Sequence, residues 1–167
     1  MDGIQITRHP EKRGTYLLTT EQWFPASLDT VFPFFADAFN LEAITPPWLN
    51  FEVLTPRPFE MKQGCLIDYK LRLHALPIRW KTEISVWEPP FRFVDRQLSG
   101  PYRLWVHEHT FQSVNGGTRV LDRVEYQVPG GGLIHALLVR RDLMRIFQFR
   151  RDFLTNRFSN PSAAVDS

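Results

Sequence analysis

Two histidines two residues apart, His107 and His109 in Trp105-Val106-His107-Glu108-His109-Thr110-Phe111, are the residues of this chain best suited to chemistry. On a strand, residues two apart share a face, so the pair presents two imidazoles side by side. Asp95 and Asp122 stand in neighbouring extended segments, Phe93-Val94-Asp95-Arg96-Gln97 and Asp122-Arg123-Val124-Glu125-Tyr126. An imidazole that titrates near neutrality and is oriented by a carboxylate can move a proton on an enolisable substrate. The same residue types ligate divalent metals, and they also brace one another as Asp–His pairs in a wet core. Sequence alone supplies no convergent metal geometry. The site is therefore read with no metal and no cofactor, His107, His109, Asp95 and Asp122 being the candidate acid/base residues.

The register that would assemble these groups follows from turn chemistry. Asn115-Gly116 favours a two-residue type I′ turn, which sets Val114 opposite Gly117. The pairs then run Phe111–Val120, His109–Asp122, His107–Val124 and Trp105–Tyr126. One register of the preceding Ser99–Tyr102 turn sets Asp95 opposite His107 and Gln97 opposite Trp105. The same parity turns Cys65, Ile67, Tyr69, Leu71 and Leu73 inward on one strand, and Ile78, Trp80, Thr82, Ile84 and Val86 inward on the next. The interior is then aromatic and carries one polar group, which must be paired or solvated to be buried. Tyr69, Trp80, Thr82, Phe93, Gln97, Trp105 and Tyr126 are the candidate ligand-binding residues. Trp48, in the Pro46-Pro47-Trp48 loop, is placed at the pocket mouth, because binding residues often sit on loops.

Around these strands the pattern is α+β. Residues 1–14 read as a flexible arm with a short strand at Ile4–Thr7, and Thr15–Phe24 as a strand ended by Pro25. Ser27 can cap a helix from Leu28 carrying Val31, Phe32, Phe34 and Phe35, in which Pro33 requires an early position or a kink. A second short helix, Ala38–Ala43, stops before Pro46. Extended segments follow at Phe51–Thr55, Cys65–Ala75, Ile78–Trp87, Phe91–Leu98, Arg103–Ser113 and Arg119–Val128, joined by short Pro/Gly turns, which makes an antiparallel meander. After the hinge Pro129-Gly130-Gly131-Gly132, apolar residues three or four apart predict one amphipathic helix over Leu133–Phe158. The expectation is a curved antiparallel sheet of about six to seven strands wrapped around that helix. It occupies 15–158 as a single domain, with a disordered tail at 159–167.

Composition narrows the function classes. In 167 residues, 14% are aromatic, including 14 Phe and 5 Trp, which excludes bulk disorder. No apolar run reaches the roughly 18 residues of a membrane span, and no leader pattern opens the chain. The single Cys65 excludes an intrachain disulfide and a multi-thiolate zinc site, and fits a reducing, cytoplasmic compartment; Cys65 itself reads as a buried small hydrophobe. A net charge of +2 is too balanced for a nucleic-acid binder, and neither an RNP1 nor a GXXG motif is present. Six arginines (140, 141, 145, 150, 151 and 157) face only Asp142 and Asp152 between them, and are read as the solvated face of the last helix. The glycine run lacks the GxGxxG spacing of a dinucleotide site.

The segments Phe93 to Gln97 with Leu98-Ser99-Gly100-Pro101, Trp105 to Phe111 and Asp122 to Tyr126 resemble the START/Bet v 1-like (SRPBCC) superfamily, in its bacterial ligand-binding branch. Thr45-Pro46-Pro47-Trp48-Leu49 and Ile67-Asp68-Tyr69 fit the same group, and the resemblance extends from Tyr16 to Phe158. It implies the helix-grip fold, with a deep pocket for a hydrophobic ligand between sheet and long helix. Superfamily members include lipid and sterol carriers, plant hormone binders, polyketide cyclases and chaperone activators. Some bacterial relatives are joined to an epimerase-like domain, which implies a functional association with an epimerase/dehydrogenase-like protein. The leading expectation is intracellular binding of a small hydrophobic or aromatic molecule. The alternatives are a polyketide cyclase/dehydratase-like enzyme using the Asp–His pairs, and a protein-interaction module using the arginine-bearing helix face.

Overall fold

Both residues of the Asn115-Gly116 turn have positive φ, 52° and 73°, the backbone a type I′ hairpin turn requires. The turn joins β7 (Leu104–Val114) to β8 (Gly117–Gln127) with Val114 opposite Gly117. In this computed structural model, which describes residues 3–159, that hairpin is the centre of one eight-stranded antiparallel sheet. The others are β1 (Gln5–Arg8), β2 (Tyr16–Phe24), β3 (Glu52–Val53), β4 (Leu66–Leu73), β5 (Leu76–Glu88) and β6 (Arg92–Ser99). Their spatial order is β1-β2-β8-β7-β6-β5-β4-β3.

The strand beyond the expected six to seven comes from the segment read as a flexible arm. Residues 5–8 pair with 16–19 at the sheet edge, and the connecting turn is held by His9 Nδ1, which accepts the backbone N–H groups of Glu11 and Lys12. The tail expected at 159–167 lies, from residue 160 on, outside the described residues.

One parity expectation fails, and a bulge is the reason. The β5–β6 register shifts between Ile84 and Val86, so that Val86 pairs with Val94 and Trp87 with Phe93. An extra residue on one strand flips everything beyond it to the other face. Trp87, not Val86, therefore packs inside, against Phe32 and Phe93.

Helix α1 (Leu28–Phe35) turns Val31, Phe32, Phe34 and Phe35 into the core and leaves Pro33 on its exposed face, where a lost backbone donor costs least. The expected second helix is a 3₁₀ turn, Ala38–Leu41, capped by the Asp37 carboxylate accepting from Phe39 N–H; a second 3₁₀ turn spans Pro47–Leu49. The closing helix begins earlier than periodicity predicts, at Gly131. It runs as α2 (Gly131–Ile134), a π turn at His135–Val139, and α3 (Arg140–Ser159). Gly130 and Gly131, with φ of 82° and 69°, make the sharp entry that a side chain would strain. Among the described residues, no helix is long and apolar enough to cross a membrane.

Leu143, Phe147, Leu154 and Phe158 are the buried stripe of α3. Leu154 and Phe158 pack with α1 on Phe24, Phe111 and Val120 of the sheet, while Leu143 and Phe147 pack on Leu18, Val124 and Tyr126. Each such aromatic or aliphatic burial contributes about 2 kcal/mol. The helix is thereby held across the concave face at both ends.

Gly117 tests how tightly the central hairpin meets β2. A Cβ there would lie 2.2 Å from the Phe24 carbonyl oxygen and 2.7 Å from the Trp23 ring. Gly117→Ala should cost about 3 kcal/mol in urea denaturation, whereas Gly3→Ala, with nothing within 4 Å, should leave stability unchanged.

Candidate functional site

The registers β6–β7 and β7–β8 set Asp95 opposite His107 and His109 opposite Asp122. All four side chains meet on the concave face. His107 Nε2 lies 3.3 Å from Asp122 Oδ1, and its Nδ1 is 3.7 Å from Asp95 Oδ2. His109 is placed the other way round, with Nε2 hydrogen-bonded to Asp95 Oδ2 at 3.1 Å. Its Nδ1 is 2.7 Å from Asp122 Oδ1 but poorly aligned with it, so this nitrogen makes no hydrogen bond. The two rings are 3.8 Å apart, and Phe93 stacks on His109 at 4.3 Å.

Burial is the largest single influence on all four groups, and in three of them their neighbours outweigh it. It raises the Asp122 carboxyl, but the attraction of His109 and the hydrogen bond with His107 hold it well below the usual carboxylate range. Asp95 is lowered for the same reasons, chiefly its His109 hydrogen bond and the charge of His107. Burial lowers His109, yet Asp122 and Asp95 together raise it above its ordinary value. His107 is lowered, because burial and the His109 charge beat its hydrogen bond to Asp122. These shifts favour the charged forms of both aspartates and of His109 and disfavour the charged form of His107.

Three of these four residues form part of the wall of a cavity of ≈ 160 Å³ between the sheet and α3. Asp95, His107 and His109 line it, as do Tyr69, Trp80, Thr82, Phe93 and Trp105. Asp122 does not; its side chain is 7% exposed against 17% for Asp95, and it braces the histidines from behind. Three expected ligand residues point elsewhere. The Gln97 amide is spent on the turn, donating to the Tyr102 carbonyl and accepting from its N–H. Tyr126 is fully buried, its hydroxyl hydrogen-bonded at 2.9 Å to His135, whose ring stacks on Tyr16. Trp48 is 51% exposed and packs edge-on against Phe149, with the Arg145 guanidinium 5.1 Å from its ring.

The residue sequence reasoning missed is Arg150. It lines the cavity, lies over the Phe147 ring at 5.3 Å, and leaves Nη1 buried without a hydrogen-bond partner among the described residues. Its signal is positional: Leu143, Phe147, Arg150, Leu154 and Phe158 follow one another at steps of 4, 3, 4 and 4, so this arginine occupies an apolar stripe position. Arg140, Arg141, Arg145 and Arg157 are exposed, as a solvated helix face requires, whereas Arg151 is partly buried. Arg151 donates to Thr20 Oγ1 and the Glu21 carbonyl, and Arg157 stacks on Phe34. A second unpaired buried donor, Trp80 Nε1, also belongs to a cavity-lining side chain. Tyr69 and Thr82, by contrast, satisfy each other through a 2.5 Å hydroxyl hydrogen bond.

An antiparallel sheet closed on a long helix, with a lined cavity between them, defines a helix-grip ligand-binding fold. The chain belongs to the polyketide cyclase/dehydrase and lipid transport family, which its residues 24–155 match, within the START/Bet v 1-like superfamily. Among solved structures it is similar to protein Ms6760 from Mycobacterium smegmatis, at 15% identity and a TM-score of 0.65, over 92% of this chain and 96% of that one. It is also similar to the ginseng major latex-like protein 151 from Panax ginseng, at 11% identity and a TM-score of 0.64, over 87% and 98%. A protein from Thermus thermophilus, TTHA0849, aligns at 20% identity with a TM-score of 0.57, over 90% and 99%. At these identities the likeness is one of fold. No curated protein matches the chain.

Removing the carboxylate behind the histidines leaves buried charge without its partner, so Asp122→Asn should cost about 3 to 5 kcal/mol at pH 7. A carboxylate whose folded pKa is depressed stabilises the fold above its unfolded value of about 3.9 and loses that contribution as pH falls. The wild-type advantage over the variant should therefore shrink below about pH 4, as measured by urea denaturation across pH. The depressed His107 loses stability in the same direction below about 6.5, whereas the raised His109 loses it as pH rises.

Proposed function

We propose that the protein binds a small, flat hydrophobic molecule carrying an acidic or other acceptor oxygen. The observation behind this reading is the pair of buried, unpartnered donors, Arg150 Nη1 and Trp80 Nε1, in side chains that line an otherwise aromatic cavity. A buried donor without an acceptor costs about 1 to 3 kcal/mol, more for a charged group. A ligand carboxylate or phenolate recovers that cost, and the rings of Tyr69, Trp80 and Trp105 offer faces for a planar body. A cavity of ≈ 160 Å³ suits one or two rings, since an apolar cavity of about 150 Å³ holds benzene. The family's description, polyketide cyclase/dehydrase and lipid transport, is compatible with such a ligand.

A second reading is acid/base chemistry on the bound molecule. It is favoured by Asp95, His107 and His109 lining the same cavity as the proposed anchor. In that reading a proton passes between the ligand and the Asp95–His109 pair, and Arg150 holds the developing enolate oxygen.

The binding reading is tested by quenching of tryptophan fluorescence with 2-naphthoate and with its methyl ester. The acid should bind saturably and at least about tenfold more tightly, the value of one charge-assisted hydrogen bond. Arg150→Met should remove that difference, and Trp80→Phe should weaken both probes slightly. Equal affinity for acid and ester in the wild type, or no saturable quenching by either, overturns the reading.

A further inference from the structure

We propose that Asp95, His107 and His109 form a binding site for one divalent transition-metal ion, with Asp122 holding the two imidazoles from behind. From sequence alone these residues lack convergence; the structure supplies it. Asp95 Oδ2, one ring nitrogen of His107 and one of His109 lie within 4.8 Å of one another. The two distances from Asp95 Oδ2 are 3.1 Å to His109 Nε2 and 3.7 Å to His107 Nδ1. Two donors bound at about 2.1 Å to a common ion sit roughly 3.0 Å apart at right angles and about 3.4 Å apart at tetrahedral angles. The first separation falls within that range and the second lies slightly above it, so an ion enters once His107 and Asp95 draw closer together.

The arrangement behind the histidines is the stronger observation. A metal-bound imidazole commonly gives its other N–H to a carboxylate, which fixes tautomer and orientation. Here one oxygen, Asp122 Oδ1, is hydrogen-bonded to His107 Nε2 at 3.3 Å and lies 2.7 Å from His109 Nδ1, which a small rotation of that ring would align. That leaves His107 Nδ1 and His109 Nε2 turned toward Asp95. Asp122 is buried and takes no part in the cavity wall, while the three proposed ligands all line it. An ion there has protein donors on one side and the cavity on the other, which leaves coordination positions for a substrate oxygen or water. Two imidazoles and one carboxylate suit zinc or iron(II); calcium and magnesium prefer all-oxygen shells.

Charge agrees with this assignment. With both imidazoles neutral, Asp95 and Asp122 carry two negative charges, which a dication balances. The nearby cation that opposes it is Arg150, which lines the same cavity and attracts Asp95 from beyond ion-pair distance. Binding displaces the proton that His109 Nε2 shares with Asp95. The site does not depend on the identity of any organic ligand, so it stands or falls separately from the binding reading above.

The experiment is metal uptake by the full chain, stripped with chelator and titrated with Zn²⁺ and Co²⁺. One equivalent should bind, and Co²⁺ should develop the visible d–d absorption of a low-coordinate nitrogen/oxygen site. Asp95→Asn and His107→Gln should each lower affinity at least a hundredfold, with fold checked by circular dichroism. His74→Asn, which removes the surface His74–Asp142 pair, should have no effect. Should either site variant fail to fold, proton NMR of Co²⁺-loaded wild type decides, because two hyperfine-shifted imidazole N–H signals are expected. Three outcomes overturn the proposal: no uptake at tenfold excess metal, uptake unchanged in the folded site variants, or the absence of those shifted signals.

Discussion

Two aspartates under a helix on the concave face of a sheet, Asp122 buried and Asp95 largely so, are the costliest feature of this molecule, and the central strands are arranged around neutralising them. Asp122 is 5% exposed, and neither it nor Asp95 has a lysine or arginine ion pair among the described residues. What compensates them is the histidine pair on β7, reached by Asp95 from β6 and Asp122 from β8. That compensation exists only at one register, because a slip of one residue turns every group to the other face. The Asn115-Gly116 turn, the bulge at Ile84–Val86 and the Gln97-braced turn near Tyr102 are the devices that hold it.

The helix that covers this centre brings a further charge, Arg150, one of whose guanidinium nitrogens has no hydrogen-bond partner among the described residues. A core built only for stability would place Leu or Met at position 150, between Phe147 and Leu154. Arginine there gives up apolar burial and leaves a guanidinium nitrogen unpaired, which a folded chain tolerates only when other packing is ample. The Phe-rich layer of α1 supplies that packing: Phe32, Phe34 and Phe35 meet Phe93, Phe111, Phe153 and Phe158 through ring contacts of 5.1 to 6.3 Å. Stability is thus concentrated at one end of the grip. The polar groups and the cavity lie beside it, consistent with the way proteins separate rigid scaffold from strained or unsatisfied functional groups.

Amphiphilic lining gives the cavity two kinds of selectivity. Aromatic walls discriminate weakly between apolar ligands, since one methylene is worth only about 1 to 3 kcal/mol. Fixed polar groups discriminate far more strongly, because an analogue that fails to satisfy them leaves them buried and unpaired. Arg150 and Trp80 on one hand, and the Asp95–His109 pair on the other, are both such groups. A ligand is therefore chosen by where its oxygens fall rather than by its hydrophobic bulk.

Much of this was readable in the residues themselves. Local turn chemistry at Asn115-Gly116 and period-2 alternation determined the β7–β8 register, and with it the meeting of His107, His109 and Asp122, because both signals act over a few adjacent residues; Asp95 joined them in one of the several registers open to the Ser99–Tyr102 turn, and the β6–β7 pairing selected it. The element order, the long closing helix and the helix-grip fold followed from periodicity and from the resemblance. What only the tertiary structure decided depends on contacts between distant segments. The β5 bulge reverses Val86 and Trp87 because β6 pairs with an extra residue opposite it, which alternation along one strand does not encode. Tyr126 has the parity of a lining residue but is taken by His135, nine positions on and across the glycine hinge. Arg150 belongs to a charge run in sequence and to the core in space, since its surroundings are set by where α3 crosses the sheet. Local patterns reach as far as the next turn; which polar group is left unpaired inside is a property of the closed fold.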